Sequence, residues 1–308
     1  MKFKNYTQLL ALLIVACLLN SIDCYAYFPK IIAHRGGKDN FPENTIYALR
    51  ETIKAGSDGL EIDAQVTKDG VVVLYHPVDL SILTNGKGSV SSHLYKQLQN
   101  LDAGYNFDPS RDKSFPERSK GHKIPTLRQA LDLFPNMELI IDLKSLPAKP
   151  LIDAIIKLVD EKNSWHQLIF YSTNNEHLDY LQQKKPQAHV FESRHITRKR
   201  LLSIRNTGIC CCEDKSPYVG FELDREMIVE ESFMLGSDKN KIHFRLWDEN
   251  SIACTKRLKN NQQKIFFFGI NNFENYIQAQ ELGAYAVFSD NPVAIIKELN
   301  QINNSHSK

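Results

Sequence analysis

Short apolar runs that end on a polar or charged residue, spaced by amphipathic helical stretches, set the narrowest limit on the fold of this 308-residue chain. Lys30 to Ala33 is bounded by Pro29 and Gly36, which predicts a buried strand. Asn44 is placed to cap a helix carrying Ile46, Leu49 and Ile53 at helical spacing, and Gly56 to end it. Leu60 to Val66 alternates strictly: Leu60, Ile62, Ala64 and Val66 point one way, and Glu61, Asp63 and Gln65 the other. On a half-exposed strand that polar face meets water. In a barrel strand it lines the mouth, and two carboxylates two residues apart converge on one small volume. Lys68-Asp69-Gly70 is a hairpin signal before Val71 to Tyr75, and His76 stands where that run ends.

Later strands are predicted at Glu138 to Asp142, Leu168 to Tyr171, Ala188 to Phe191, Ile242 to Leu246, Lys264 to Phe268 and Tyr285 to Phe288. Helices are predicted between them, from about Lys149 to Lys162, from an Asn174 cap toward Lys184, and near Arg198 to Arg205. Counting barrel strands at Ile31, Leu60, Leu139, Ile169, Val190, Phe244, Phe267 and Val287 gives eight. This alternation means a parallel sheet with helical crossovers, and by itself leaves open a closed barrel or a doubly wound open sheet. Tyr218 to Leu223 reads as a further strand, one too many, so Gly208 to Lys241 is taken as an irregular insertion before the sixth barrel strand. Pro77 to Ile124 is rich in Gly, Ser, Asn, Asp and Pro and is read as a long insertion over the mouth, with a helical piece around His93 to Leu101.

Composition excludes little. At 42% hydrophobic and 24% charged residues the chain is globular, and a formal charge of +2 with no basic stripe gives no ground for nucleic acid as a partner. The first residues form a basic lead, Met1 to Lys4, and Leu9 to Leu19 is an apolar run suited to a signal-peptide core. Two readings of its processing stand: cleavage after Ala26 to release a soluble protein, or a lipoprotein box at Ile14 to Cys17 that leaves Cys17 lipidated. Either way the chain is expected to be exported, as residues 1–26 of leader, 27–300 of barrel and a disordered tail over 301–308. No Cys-x-x-Cys pair exists among the six cysteines, which argues against zinc. Cys254 can pair with one of Cys210, Cys211 or Cys212, though small buried thiols are the favoured reading.

The order His34-Arg35-Gly36, Glu43-Asn44-Thr45, Glu61-Ile62-Asp63, Asp69-Gly70 and His76, closed by Gly283 to Pro292, resembles the glycerophosphodiester phosphodiesterase family. The resemblance implies a (β/α)8 barrel of the TIM type with a small insertion after the second barrel strand. It also implies hydrolysis of glycerophosphodiesters to glycerol 3-phosphate and an alcohol. His34 and His76 are then the acid/base pair, since imidazole both takes and gives protons near neutrality. Arg35, with its bidentate fork, and Lys144, as a point charge, bind phosphate, and Glu43 binds glycerol hydroxyls or lies beside the metal. Glu61 and Asp63 are hard oxygen ligands suited to Ca²⁺ or Mg²⁺, and a third is expected from another strand end at Asp142. The family usually carries Glu-x-Lys there, and this chain has Asp142-Leu143-Lys144. Two rival readings stand beside it: a phospholipase D-like enzyme acting on lysophospholipid or sphingomyelin, and an inactive barrel serving as a surface or binding protein. Membrane contact is expected only through a lipid anchor or a lipid substrate.

Overall fold

The computed structural model describes residues 28–212, 216–233, 236–245 and 248–306. The leader over residues 1–26, with Cys17 and Cys24, lies outside them. No described helix is long and apolar enough to cross a membrane.

The barrel begins with β1 (Lys30–Ala33), α1 (Ile46–Ala55) and β2 (Gly59–Val66). The predicted hairpin follows as β3 (Val72–Leu74), antiparallel to the end of β2, with Ala64 opposite Leu74. The insertion carries two single-turn 3-10 helices (Leu80–Ile82 and Val90–Ser92) and a short α-helix, α2 (Tyr95–Leu98), and the chain returns through α3 (Leu127–Leu133). Then come β4 (Glu138–Leu143), α4 (Ala148–Lys162), β5 (Leu168–Tyr171), α5 (Asn175–Lys184), β6 (His189–Val190), α6 (Arg194–Thr207) and β7 (Tyr218–Glu222). After β7 the chain makes a long hairpin, β8 (Asp224–Phe233) and β9 (Gly236–Arg245). It ends with α7 (Glu249–Asn260), β10 (Lys264–Phe268), α8 (Phe273–Glu281), β11 (Ala286–Ser289) and α9 (Pro292–His306).

Eight parallel strands in the order β6-β5-β4-β2-β1-β11-β10-β7 form the wall. A bridge between Phe191 and Tyr218, with the Glu192 N–H donating to the Tyr218 carbonyl at 2.8 Å, closes it. The alternation read in β2 governs the layers. Leu60, Ile62, Ala64 and Val66 pack outward under the helices, in one cluster with Ile141, Leu151, Ile155 and Phe170. Ile32, Ile140, Ile169, Phe266 and Phe288 fill the inside, where Phe191 and Phe266 meet edge-on at 4.8 Å between centroids. The barrel is thus a packed core whose free chemistry is left at one end.

Three expectations need correction. The sixth barrel strand is β7, which runs parallel to β10 with Tyr218 opposite Lys264 and Glu222 opposite Phe268. The segment expected there, from Ile242, belongs to β9 and pairs only with β8, Asp224 against Arg245 and Phe233 against Gly236. The reason is solvent: Lys241, His243 and Arg245 are exposed, whereas a parallel barrel strand is covered on both faces. Val219 and Phe221 of β7 are buried. Second, α9 continues to His306, so a disordered tail from residue 301 is not found over 301–306. Third, Cys210 and Cys254 form a disulfide, fastening the segment after α6 to α7, and the sulfurs of Cys211 and Cys212 are also brought together.

The insertion has a core of its own. Leu80, Val90, Leu98, Ala103 and Ile124 bury against Val73 and Tyr75, with Tyr95 and Leu101 at the edge. It leans on the barrel through β3, where Val73 bridges Thr126, the cap of α3.

Candidate active site

Every expected site residue except Glu43 and His76 stands on, or one or two residues beyond, the C-terminal part of a barrel strand. His34 and Arg35 follow β1 in a tight turn, Glu61 and Asp63 lie in β2, and Asp142 lies in β4, directly opposite Asp63 in the register. Arg35 holds φ 54°, in the left-handed region that a non-glycine residue seldom adopts. That bend turns its backbone N–H onto Glu61 Oε2 at 2.8 Å, while its Nε lies 3.4 Å from Asp63 Oδ2. Lys144 Nζ donates to Asp142 Oδ2 and sits 3.4 Å from Asp63 Oδ1.

The three carboxylates each bring an oxygen within 4.8 Å of the others. Glu61 and Asp63 are fully buried and Asp142 nearly so. Burial, with Asp63 as neighbour, holds the carboxyl groups of Glu61 and Asp142 above the ordinary carboxylate range. Asp63 Oδ1 and Asp142 Oδ1 are buried with no hydrogen-bond donor. Buried acceptors are normally satisfied, so oxygens left bare in this way fit a hard divalent cation bound by Glu61, Asp63 and Asp142.

His34 is held from both sides. Its Nδ1 meets Asp290 Oδ1, and its Nε2 lies 3.7 Å from Glu61 Oε2. Burial disfavours the imidazolium, but Glu61 and Asp290 outweigh it and raise the pKa above the usual value. Burial likewise opposes ionisation of Asp290, yet His34 and Lys38 draw its pKa down to about 2. His76 is the converse case. Burial, then the charges of Arg35, Lys144 and His34, overcome Asp63 and lower it to about 4. His34, Arg35, His76, Asp142 and Lys144 line one cavity of about 530 Å³. Leu201, Phe221, Leu223, Phe268 and Ile270 also line it, together with Glu192, Glu222 and Asp224.

Glu43 stands apart. Its Oε2 approaches Arg35 Nη1 at 3.5 Å, but it lines a second recess of about 560 Å³ between the loop after β1 and the insertion. Asn44 is not the helix cap that its position promised. Thr45 caps α1, its Oγ1 accepting from Ala48 N, and the Asn44 amide instead brackets Asp63, donating to Oδ2 at 2.8 Å and accepting from its N–H at 3.0 Å.

Four residues escaped the sequence reading. Besides Asn44 they are Gln65, whose amide donates to the carbonyls of Tyr75 and Pro77 and so anchors the turn bearing His76, Tyr171, whose hydroxyl donates to Glu61 Oε1 at 2.7 Å, and Asp290. Gln65 was legible as the third inward position of β2. Tyr171 is legible in the sequence only as a polar residue at a strand end, and Asp290 only as a member of the closing run Gly283 to Pro292, with no role attached.

Comparison with known proteins agrees with this geometry. The sequence profile of the Glycerophosphoryl diester phosphodiesterase family matches residues 34–294. The uncharacterised protein Rv2277c of Mycobacterium tuberculosis is 38% identical over 268 residues, covering 86% of this chain and 88% of its own. The crystal structure of that protein's glycerophosphoryl diester phosphodiesterase domain matches with a TM-score of 0.80 at 36% identity, covering 89% of this chain and 100% of the other. A human lysophospholipase D is 26% identical over 283 residues, 87% of this chain and 85% of its own. An Oleispira antarctica phosphodiesterase, solved with the product sn-glycerol-3-phosphate, shares the fold with a TM-score of 0.64 at 23% identity, covering 90% of this chain and 98% of the other. With the matched profile running from His34, just after β1, past both ends of the motif series and the last barrel strand, this chain belongs to the glycerophosphoryl diester phosphodiesterase family of phosphoric diester hydrolases.

Proposed function

We propose that the chain hydrolyses glycerophosphodiesters to glycerol 3-phosphate and an alcohol, with Ca²⁺ or Mg²⁺ held by Glu61, Asp63 and Asp142. The observation that carries this reading is the pair of bare, buried carboxylate oxygens on Asp63 and Asp142, set between two cationic side chains and two histidines. When bound, the cation supplies neutralisation of charge on the phosphoryl oxygens. Arg35 and Lys144 orient the phosphate from either side. His76, kept neutral by burial and its cationic neighbours, takes the proton of the attacking water, or of the substrate's adjacent hydroxyl, in which case a cyclic phosphate forms as the alcohol leaves and water then opens it to glycerol 3-phosphate. His34, flanked by two carboxylates, keeps a proton on Nε2 and gives it to the departing alkoxide. Glu43, beside Arg35, is the candidate for the glycerol hydroxyls.

The test is release of glycerol 3-phosphate from glycerophosphocholine, with Ca²⁺, with Mg²⁺ and with chelator, for the wild type and His34→Ala. Metal-dependent release, reduced about 1000-fold or more by the substitution, is expected. A second reading, cleavage of lysophospholipid to release its head-group alcohol, is supported by the apolar side chains in the cavity lining, such as Leu201, Phe221 and Leu223, and by the likeness to a lysophospholipase D. A folded, metal-binding protein that releases choline only from lysophosphatidylcholine would replace the first reading by the second. Failure on both substrates would sink the two together.

We also propose that the protein works outside the cytoplasm. The basic and apolar leader supports this, as does a disulfide between Cys210 and Cys254, a bond that persists in oxidising compartments. Peptide mapping of the exported protein should find Cys210 joined to Cys254 and an N-terminus at Tyr27 or at a lipidated Cys17. An intact Met1 with both thiols free would refute export.

A further inference from the structure

We propose that Asp290 is the positioning residue for His34, and that Asn271 in turn positions Asp290. The inference rests on the reading of His34 as donor to the leaving group, and on the way the chain leaving β1, β10 and β11 brings His34, Asn271 and Asp290 together. In the β1–β11 register Ala33 lies opposite Ser289, so His34 and Asp290 are the next residues out, side by side above the wall. Asp290 Oδ1 takes the Nδ1 side of the imidazole. Its other oxygen accepts from Asn271 Nδ2 at 3.2 Å and lies 3.2 Å from Lys38 Nζ. The Asp290 backbone N–H donates to Asn271 Oδ1 at 2.8 Å, so both the backbone and the side chain of Asp290 are fixed by one amide at the end of β10. Asp290 is outside the acidic group suited to a metal, which among the described residues comprises Glu61, Asp63 and Asp142.

This arrangement does one thing to the histidine. A carboxylate can only accept at Nδ1, so that nitrogen carries its proton in every state of the ring. Nε2 is thereby left as the atom that exchanges a proton with the substrate, and the ring plane is pinned so that Nε2 points to the Glu61 side of the cavity. An asparagine at 290 can donate to Nδ1 instead, which puts the neutral ring's proton on Nε2 and removes the charge that supports the imidazolium.

Leaving-group dependence tests the idea. Wild type, Asp290→Asn and Asp290→Glu are compared on glycerophosphocholine, whose alkoxide needs a proton, and on glycerol 3-(p-nitrophenyl phosphate), whose phenolate leaves without one. Asp290→Asn is expected to lower kcat on the choline ester about 100-fold with KM little changed, to lower it less than about tenfold on the nitrophenyl ester, and to be partly rescued by glutamate. An equal loss on both esters, or none, overturns the proposal while leaving the hydrolase reading intact. If the wild type cleaves neither ester, it is the hydrolase reading that fails. Nitrogen-15 spectra of the wild-type histidines then decide the positioning role alone, which an unprotonated Nδ1 on His34 would overturn; the same spectra serve if Asp290→Asn does not fold.

Discussion

Replacing Asp63 by alanine is expected to cut phosphodiester hydrolysis by about three orders of magnitude or more and to remove the stabilisation that Ca²⁺ or Mg²⁺ confers on the wild type. Asp63 is the hub of the cluster. Lys144, Arg35 and the Asn44 amide all converge on its two oxygens, and Asp142 faces it across the β2–β4 ladder. Its removal takes away one of three anionic ligands, and it also frees Arg35 and Lys144 from their common anchor. Both the cation and the two phosphate-binding cations are displaced by one change. The measurements are kcat/KM on glycerophosphocholine and the shift in melting temperature on adding metal. Activity within tenfold of wild type, or an unaltered metal-induced shift, would show that the triad does not hold the working cation.

The second large effect lies in stability. Arg200→Ala should destabilise the folded chain by about 3–5 kcal/mol, because it removes one partner of a buried ion pair and strands the other. Arg200 and Glu192 are both almost wholly buried and are paired through Nη2 and Oε2. The same guanidinium donates from Nη1 to the carbonyls of Cys211 and Cys212 at 2.8 and 2.9 Å, and Thr197 donates to the other Glu192 oxygen. In the alanine variant the buried carboxylate loses its charged partner, and the carbonyls of Cys211 and Cys212 lose their donor. Denaturant unfolding monitored by circular dichroism measures the loss, and the double change Glu192→Leu with Arg200→Met should recover much of it. A loss below about 1 kcal/mol for Arg200→Ala would mean that the pair is solvated in solution. Glu192 and Leu201 line the cavity, so this pair also braces the cavity wall.

Much of this molecule is legible in its residues, and the parts that are not share a cause. The inward face of β2 announces itself because a strand's alternation is local, and the motif residues around it lie within one short stretch of chain. The choice between β7 and β9 as the sixth strand is not local. Both segments have the composition of strands, and only pairing to Lys264 through Phe268, over forty residues further on from Tyr218, separates them. Asp290 and Tyr171 were hidden for the same reason. Each is an ordinary residue at the end of an ordinary strand until the barrel closes and sets it against His34 or Glu61. Asn44 shows a subtler limit: a residue type favoured at helix caps was read as one, while the threonine beside it does the capping.

The antiparallel excursion through β3 has a bearing on how function is lost. His34 belongs to the barrel, held at a strand end by β11 and β10. His76 is delivered by a segment that leaves the wall and packs on the insertion's own cluster of Tyr75, Leu80, Val90 and Leu98. The two halves of the proposed proton relay are therefore held differently, His34 by barrel strand ends alone and His76 by Gln65 of β2 together with the insertion's smaller core. A unit with so small a core opens at a lower free energy than the barrel does. If His76 acts as proposed, catalytic competence is set by the weaker of the two, and a local opening of the insertion silences the enzyme while the parallel barrel strands stay paired.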